Sequence, residues 1–193
     1  MKQSEMRKFF DKLAGGWEAD PAEFDVRETL VEMMRIPGGS TIADIACGRG
    51  VMIPHLLKTD PARIIGIDLS GEMIKYAREQ HTDERVEFIC ADLLDASLPP
   101  LDAAVIFNSY PHFLDKSSLR VKLAEVVKPG GILIIAHSVS KEHINSRHKS
   151  PETSSLSVPL RTARDEAAEF MPEFSPDVCI DTDTQYFIRL IRN

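Results

Sequence analysis

The sequence predicts an α/β protein: a doubly wound, mostly parallel seven-stranded sheet with a C-terminal antiparallel hairpin. Three observations predict it. Between Thr41 and Asn108, short β-branched apolar runs alternate with helical patterns, which calls for a parallel sheet with helices on both faces. The first three runs end in Asp44, Asp68 and Asp92, evenly spaced by one strand–helix unit. Near the end of the chain, two strand-like runs flank Thr182-Asp183-Thr184, a turn short enough to force an antiparallel hairpin.

Residues 4–14 place Met6, Phe9, Phe10 and Leu13 at helical spacing, and Gly15-Gly16 ends the pattern before Trp17. A second helix is expected from about Pro21, suited to a first turn, to Met34, stopping at Pro37-Gly38-Gly39. Strands follow at 41–46, 63–68, 86–90, 103–108 and 132–137, with helices expected at 51–58, 72–80 and 117–127. After Ser138 the pattern turns polar and rich in His, then Ser and Pro through Pro159. That stretch is the expected mobile insertion. A helix over 160–170 and strands over 176–181 and 185–191 complete the chain, which reads as one domain.

The bulk numbers narrow the function. Among 193 residues, 30 acidic against 23 basic side chains give a formal net charge of -7, which repels phosphate backbones and argues against nucleic acid as a partner. No apolar run approaches the roughly 20 residues of a membrane span, and the first residues lack a signal-peptide core. Cys47, Cys90 and Cys179 are odd in number and never form a C-x-x-C pair. They read as three small buried residues of a cytoplasmic protein rather than a disulfide or zinc framework.

In an open α/β sheet the ligand sits at the carboxyl ends of the strands. A carboxylate ending the second strand suits a ribose diol, and one ending the third can accept from an adenine amino group. Ala46-Cys47-Gly48-Arg49-Gly50 is neither G-x-G-x-x-G nor a Walker A loop, so the turn is tuned to something other than a pyrophosphate.

The ordered set IADIACGRG, IIGIDLSGEMIKYAR, VEFICADLLD, LDAAVIFNSYPHF and LAEVVKPGGILIIAH resembles the class I S-adenosylmethionine-dependent methyltransferase family, in its small-molecule branch with an N-terminal helical lid. The resemblance covers residues 9–138 and the final hairpin. It implies one methyltransferase domain: a lid (1–38), a cofactor core (39–138), an acceptor-side insertion (139–160) and a C-terminal helix and hairpin (161–193). It implies that Ala46, Gly48 and Gly50 line the methionine part of S-adenosylmethionine, with Asp44 near its ammonium. Asp68 then holds the ribose, Leu69 and Met73 flank sugar and adenine, Asp92 and Leu93 meet the adenine edge, and Asn108 lies beside the sulfonium. Phe10 and Trp17 match the aromatic lid, and an aromatic face favours a cation such as the sulfonium. Ala46 stands where the family most often has Gly, and is expected to sit in an ordinary backbone region.

Methyl transfer leaves the protein to align, desolvate and sometimes deprotonate. His112 is the first candidate base, its unperturbed pKa suiting neutral pH, with Tyr110 a weaker candidate and His148 a third. His137 ends the fifth strand, and Asn145 and His148 share a helical face if their segment is helical, so these three are the expected acceptor contacts. A metal site is disfavoured, because His143 and His148 stand five apart and turn away from each other on a helix. The alternatives are a non-catalytic S-adenosylmethionine-binding protein and a methyltransferase whose acceptor site uses a His-bound metal or metallocofactor. An aminopropyl transferase on the same fold is disfavoured by the ACGRG turn. The acceptor atom stays open, as does the choice between monomer and homodimer.

Overall fold

Strand β1 (Thr41–Ile45) lies in the interior of the sheet, its last four residues buried and three of them apolar. It pairs in parallel with β2 (Arg63–Asp68) on one side and β4 (Leu101–Phe107) on the other. β3 (Val86–Cys90) extends the sheet beyond β2, and β5 (Val127–His137) extends it beyond β4, both in parallel. β7 (Tyr186–Arg192) then runs antiparallel to β5, and β6 (Phe174–Asp181) antiparallel to β7. The order is β3-β2-β1-β4-β5-β7-β6. This is the doubly wound, mostly parallel seven-stranded sheet with a closing antiparallel hairpin that the sequence predicts. The computed structural model describes residues 2–17, 20–149 and 153–193.

Alternate residues of each strand supply two apolar layers, because successive side chains point to opposite faces. Ala43, Ile45, Ile65 and Ile67 pack with Leu119 and Leu123 of α5 (Lys116–Val126) and with Phe170 and Phe174. On the other face Ile42, Ile64 and Val105 pack against Leu30 and Met34 of α2 (Phe24–Met34), Ile53 and Leu56 of α3 (Ile53–Leu56), and Ile74 and Ala77 of α4 (Gly71–Gln80). Asp44 shares this second face and is 1% exposed, an anomaly that only a polar ligand or proton uptake can relieve.

Several boundaries differ from expectation for local reasons. The helix expected over 51–58 shrinks to α3 plus a 3-10 turn, because Pro54 lacks an N–H and belongs in a first turn. β5 begins five residues early at Val127, and a bulge opposite Leu101 and Ala103 absorbs the extra chain, with Gly130 at φ 78°. The helix expected over 160–170 contracts to α7 (Ala163–Ala168), capped by Thr162. Within the polar segment after Ser138, α6 (Lys141–Arg147) forms under a Ser140 cap, while residues 150–152 of the Ser/Pro-rich stretch lie outside the described residues. The cysteines are free, but only Cys47 is buried. Cys90 is exposed because β3 is an edge strand with no neighbour on its outer side.

α1 (Lys2–Leu13) docks across the carboxyl edge of the sheet. Its Asp11 carboxylate accepts hydrogen bonds from Ser70 Oγ at 2.5 Å and from the backbone N–H of Glu72 at 3.3 Å. Ser70 meanwhile caps α4 by accepting from Met73 N. One buried hydroxyl thus ties the first helix to the start of α4.

Candidate active site

The carboxyl ends of β1, β2, β3 and β4, with α1 above them, enclose a cavity of about 920 Å³. The turn after β1 forms its floor. There Ala46 and Gly48 line the cavity with φ of 53° and 55°. Ala46 therefore occupies the left-handed region, not the ordinary backbone expected of it, which explains why glycine is the easier residue there. Gly50, at φ 81°, does not line the cavity. Its Cα faces His81, where an added Cβ would fall 2.8 Å from the ring, so its glycine serves the packing of turn against α4.

Asp68 sits at the cavity wall with its carboxylate fixed by the backbone. Oδ2 accepts from Gly48 N at 2.8 Å and Oδ1 from Ser70 N at 2.8 Å. Burial pushes its pKa up, while these two N–H groups pull it back toward the ionised form. Asp44 lies behind the wall. Burial, with the Asp68 charge second, raises its pKa to about 8, and its Oδ2 has no partner among the described residues.

Leu69, Met73, Asp92 and Leu93 all line the cavity. Asp92 accepts from Leu94 N and from Gln3 Nε2 of α1. Asn108, at φ 52°, also lines it. Its amide bonds Ser138 twice, Nδ2 to Oγ at 3.0 Å and Oδ1 from N at 2.9 Å, locking the end of β4 to that of β5. Above, Phe10 meets Trp17 and His112 edge-on, with centroids 6.2 and 5.1 Å apart. Arg49 donates to the Trp17 carbonyl at 2.8 Å, which pins the lid segment to the turn.

The acceptor side departs most from expectation. His112 lines the cavity, and its Nδ1 donates to the Leu156 carbonyl at 2.8 Å, leaving the lone pair on Nε2. Burial lowers its pKa, so the ring is neutral. Tyr110 does not line the cavity, although Ser109 and His112 of the same turn do. It is wholly buried, with its hydroxyl donating to Glu166 at 3.0 Å and the Lys116 ammonium 4.2 Å above its ring. Burial and the Glu166 charge raise its pKa, so it cannot act as a base at neutral pH.

Asn145 is likewise occupied. Its amide makes both hydrogen bonds to the Leu160 backbone, and it does not line the cavity. His148 packs on His112 at 4.9 Å but stands behind the wall, and His137 lies deeper still at 0% exposure. Both nitrogens of His137 and Nδ1 of His148 are buried without partners among the described residues. Burial, reinforced by the neighbouring histidines, lowers their pKa values to about 3 and about 4. His143 faces solvent. Among the described residues, no group of three or more His, Cys, Asp or Glu side chains could hold a metal ion, and no helix is long and apolar enough to cross a membrane.

Arg27, which sequence reasoning passed over, lines the cavity at 3% exposure. Its Nε donates to His55 Nε2 at 3.3 Å, its Nη2 to the Asp20 carbonyl at 3.0 Å, and its Nη1 lies 3.4 Å from Glu23. The Glu23-x-x-x-Arg27 spacing reads as an ordinary exposed helix pair, so only the cavity reveals it.

A family model described as a methyltransferase domain matches residues 42–131, the segment holding Asp44, Asp68, Asp92, Asn108 and His112. Those residues, just under half of the chain, are similar to this methyltransferase domain. Malonyl-(acyl-carrier protein) O-methyltransferase of Acetivibrio thermocellus is 36% identical over 109 residues, 54% of this chain and 38% of that protein. O-methyltransferase cnsE of Penicillium expansum is 31% identical over 140 residues, 65% of this chain and 50% of that one. The chain thus spans half or less of the length of these two relatives. A solved structure described as a DhpI–SAH complex shares the fold with a TM-score of 0.77 at 20% identity, covering 99% of this chain and 97% of that one.

The donor set fits the cofactor of this methyltransferase family. An orphaned buried carboxylate oxygen on Asp44 and two cavity-wall carboxylates suit a ligand carrying an ammonium, a diol and an amino-purine. The left-handed turn at Ala46 and Gly48 brings bare backbone to the same wall.

Proposed function

We propose that this chain transfers the methyl group of S-adenosylmethionine to a hydroxyl oxygen of a small-molecule acceptor, with His112 taking the proton. The hydrogen bond from His112 Nδ1 to Leu156 carries the reading: it fixes a neutral tautomer whose Nε2 lone pair belongs to a cavity-lining ring. When bound, the cofactor supplies an electrophilic methyl on a sulfonium.

The chain's own residues hold and enclose. Ala46 and Gly48 line the methionine part, Asp44 serves its ammonium, and Arg27 its carboxylate. Asp68 accepts from the ribose diol, Leu69 and Met73 flank sugar and base, and Asp92 and Leu93 meet the adenine edge. Asn108 fixes the strand ends beside the reacting centre. Phe10 and Trp17 exclude water and offer aromatic faces to positive charge. His112 Nε2 accepts the hydroxyl proton as the oxygen becomes nucleophilic. Residues 1–38 act as lid, 39–138 as cofactor core, and the segments after them as the acceptor side. The O-methyltransferase names of relatives support oxygen as the acceptor atom, and the charge of -7 supports a metabolite over a nucleic acid.

The test is transfer of a tritiated methyl from S-adenosylmethionine into a small-molecule extract. His112→Gln should lower the rate by about 100-fold or more while S-adenosylhomocysteine still binds. Full transfer by His112→Gln would remove His112 from the role.

A further inference from the structure

The helix expected to offer Asn145 and His148 to the acceptor offers a different residue. Of the α6 side chains, it is Arg147 that lines the cavity. Its neighbour His148 packs on His112 at 4.9 Å, which puts Arg147 on the acceptor side. The other two cavity arginines are engaged. Arg27 bonds His55 and the Asp20 carbonyl and pairs with Glu23, while Arg49 donates to the Trp17 carbonyl and lies 4.5 Å over the Tyr76 ring. The Arg147 guanidinium has no carboxylate within ion-pair reach among the described residues.

A second observation points to the same place. Ser109 lines the cavity and its Oγ is buried without a hydrogen-bond partner among the described residues. Its carbonyl accepts from His112 N at 3.0 Å, so hydroxyl and imidazole belong to one turn. An unpaired buried hydroxyl costs free energy that a bound acceptor group recovers. Of the carboxylates lining the cavity, Asp68 and Asp92 stand at the cofactor walls, Glu23 faces Arg27, and Asp115 is taken up by Ser118 at the start of α5, so the acceptor side adds an arginine with no carboxylate partner among the described residues, a spare O–H donor and one imidazole lone pair.

We infer that the methyl acceptor is an acid, with an anionic carboxylate seated between Arg147 and Ser109 and a separate hydroxyl that reaches His112. This rests on the methyltransferase reading above. A planar guanidinium and an O–H donor match a carboxylate, and neither matches a neutral amide of the same shape as well. The carboxylate anchors and the hydroxyl reacts. The O–H bond breaks toward His112 Nε2 as the hydroxyl oxygen forms its new bond to the methyl carbon, and the S–CH3 bond breaks with its electron pair staying on sulfur.

The experiment uses the full chain saturated with S-adenosylhomocysteine and reads probe affinity by ligand-observed NMR, with no turnover needed. The probes are matched pairs: lactate with lactamide, and 4-hydroxybenzoate with 4-hydroxybenzamide. At least one carboxylate should bind about 10-fold more tightly than its amide. Arg147→Gln should cut that preference below about 3-fold, and Arg147→Lys should keep part of it, both at unchanged S-adenosylhomocysteine affinity. Arg147 is exposed, so these variants fold. No carboxylate preference, or a preference that survives Arg147→Gln, overturns the inference while leaving the methyltransferase reading standing. Failure of S-adenosylhomocysteine itself to bind overturns both.

Discussion

Asp68 Oδ2 accepts a hydrogen bond from Gly48 N at 2.8 Å, so the carboxylate ending the second strand also shapes the turn after the first. Its other oxygen is engaged by Ser70 N, and each oxygen keeps a lone pair for a ribose hydroxyl. Asp68→Ala should therefore weaken S-adenosylhomocysteine binding by about 2–3 kcal/mol, roughly 30- to 150-fold, and loosen the turn. Calorimetric titration reads the first effect and thermal unfolding the second. Unchanged affinity would remove Asp68 from the ribose.

Ala46 holds a φ of 53°, a region costing an alanine roughly 1 kcal/mol that glycine avoids. Ala46→Gly relieves that strain and adds freedom to the unfolded chain, two effects of similar size. The variant should unfold within about 0.5 kcal/mol of the parent and bind cofactor equally well. A loss beyond about 1.5 kcal/mol would show that the methyl group itself packs against something essential.

Tyr110, a candidate base by its position after β4, is a structural residue. Its hydroxyl and the Lys116 ammonium satisfy the wholly buried Glu166 carboxylate, which Arg161 also approaches. Burial opposes the charge on Glu166, and these donors outweigh it, holding its pKa below the ordinary value. Tyr110→Phe should cost about 1–3 kcal/mol of stability in denaturant unfolding and leave S-adenosylhomocysteine affinity intact. A kinetic defect without a stability loss would return Tyr110 to the active site.

The strand ends were legible in the sequence. Asp44, Asp68 and Asp92 fall at the carboxyl edge because each β-branched run must cross a buried sheet, and the end of that run is read directly from composition. What failed was whatever depends on a distant partner. Nothing near Tyr110 announces Glu166, 56 positions later, and nothing near Asn145 announces the Leu160 backbone that occupies it. Arg27 hid for the opposite reason: its local spacing to Glu23 has a sufficient surface explanation. Ala46 did carry a signal, since it opens a strand-to-helix turn otherwise built on Gly48 and Gly50, a place where the backbone commonly demands a positive φ.

His137 sets an acid limit on stability. Its folded pKa of about 3 lies below the unfolded value near 6.5, so the unfolded chain takes up a proton that the folded chain refuses. Stability from this residue is whole above the unfolded pKa and falls as pH drops below it, by about 1.4 kcal/mol per pH unit. His112 and His148 act in the same direction. Urea unfolding at pH 7, 6 and 5 should show the decline, and His137→Leu should flatten it. An equal slope in that variant would mean His137 titrates normally.

The most direct test is calorimetric titration of the metal-stripped protein with S-adenosylhomocysteine and, separately, S-adenosylmethionine. The cavity built by Asp68, Asp92 and the Ala46–Gly48 turn predicts one site for each, with micromolar affinity. A folded protein that releases no heat with either ligand would contradict the methyltransferase account at its root.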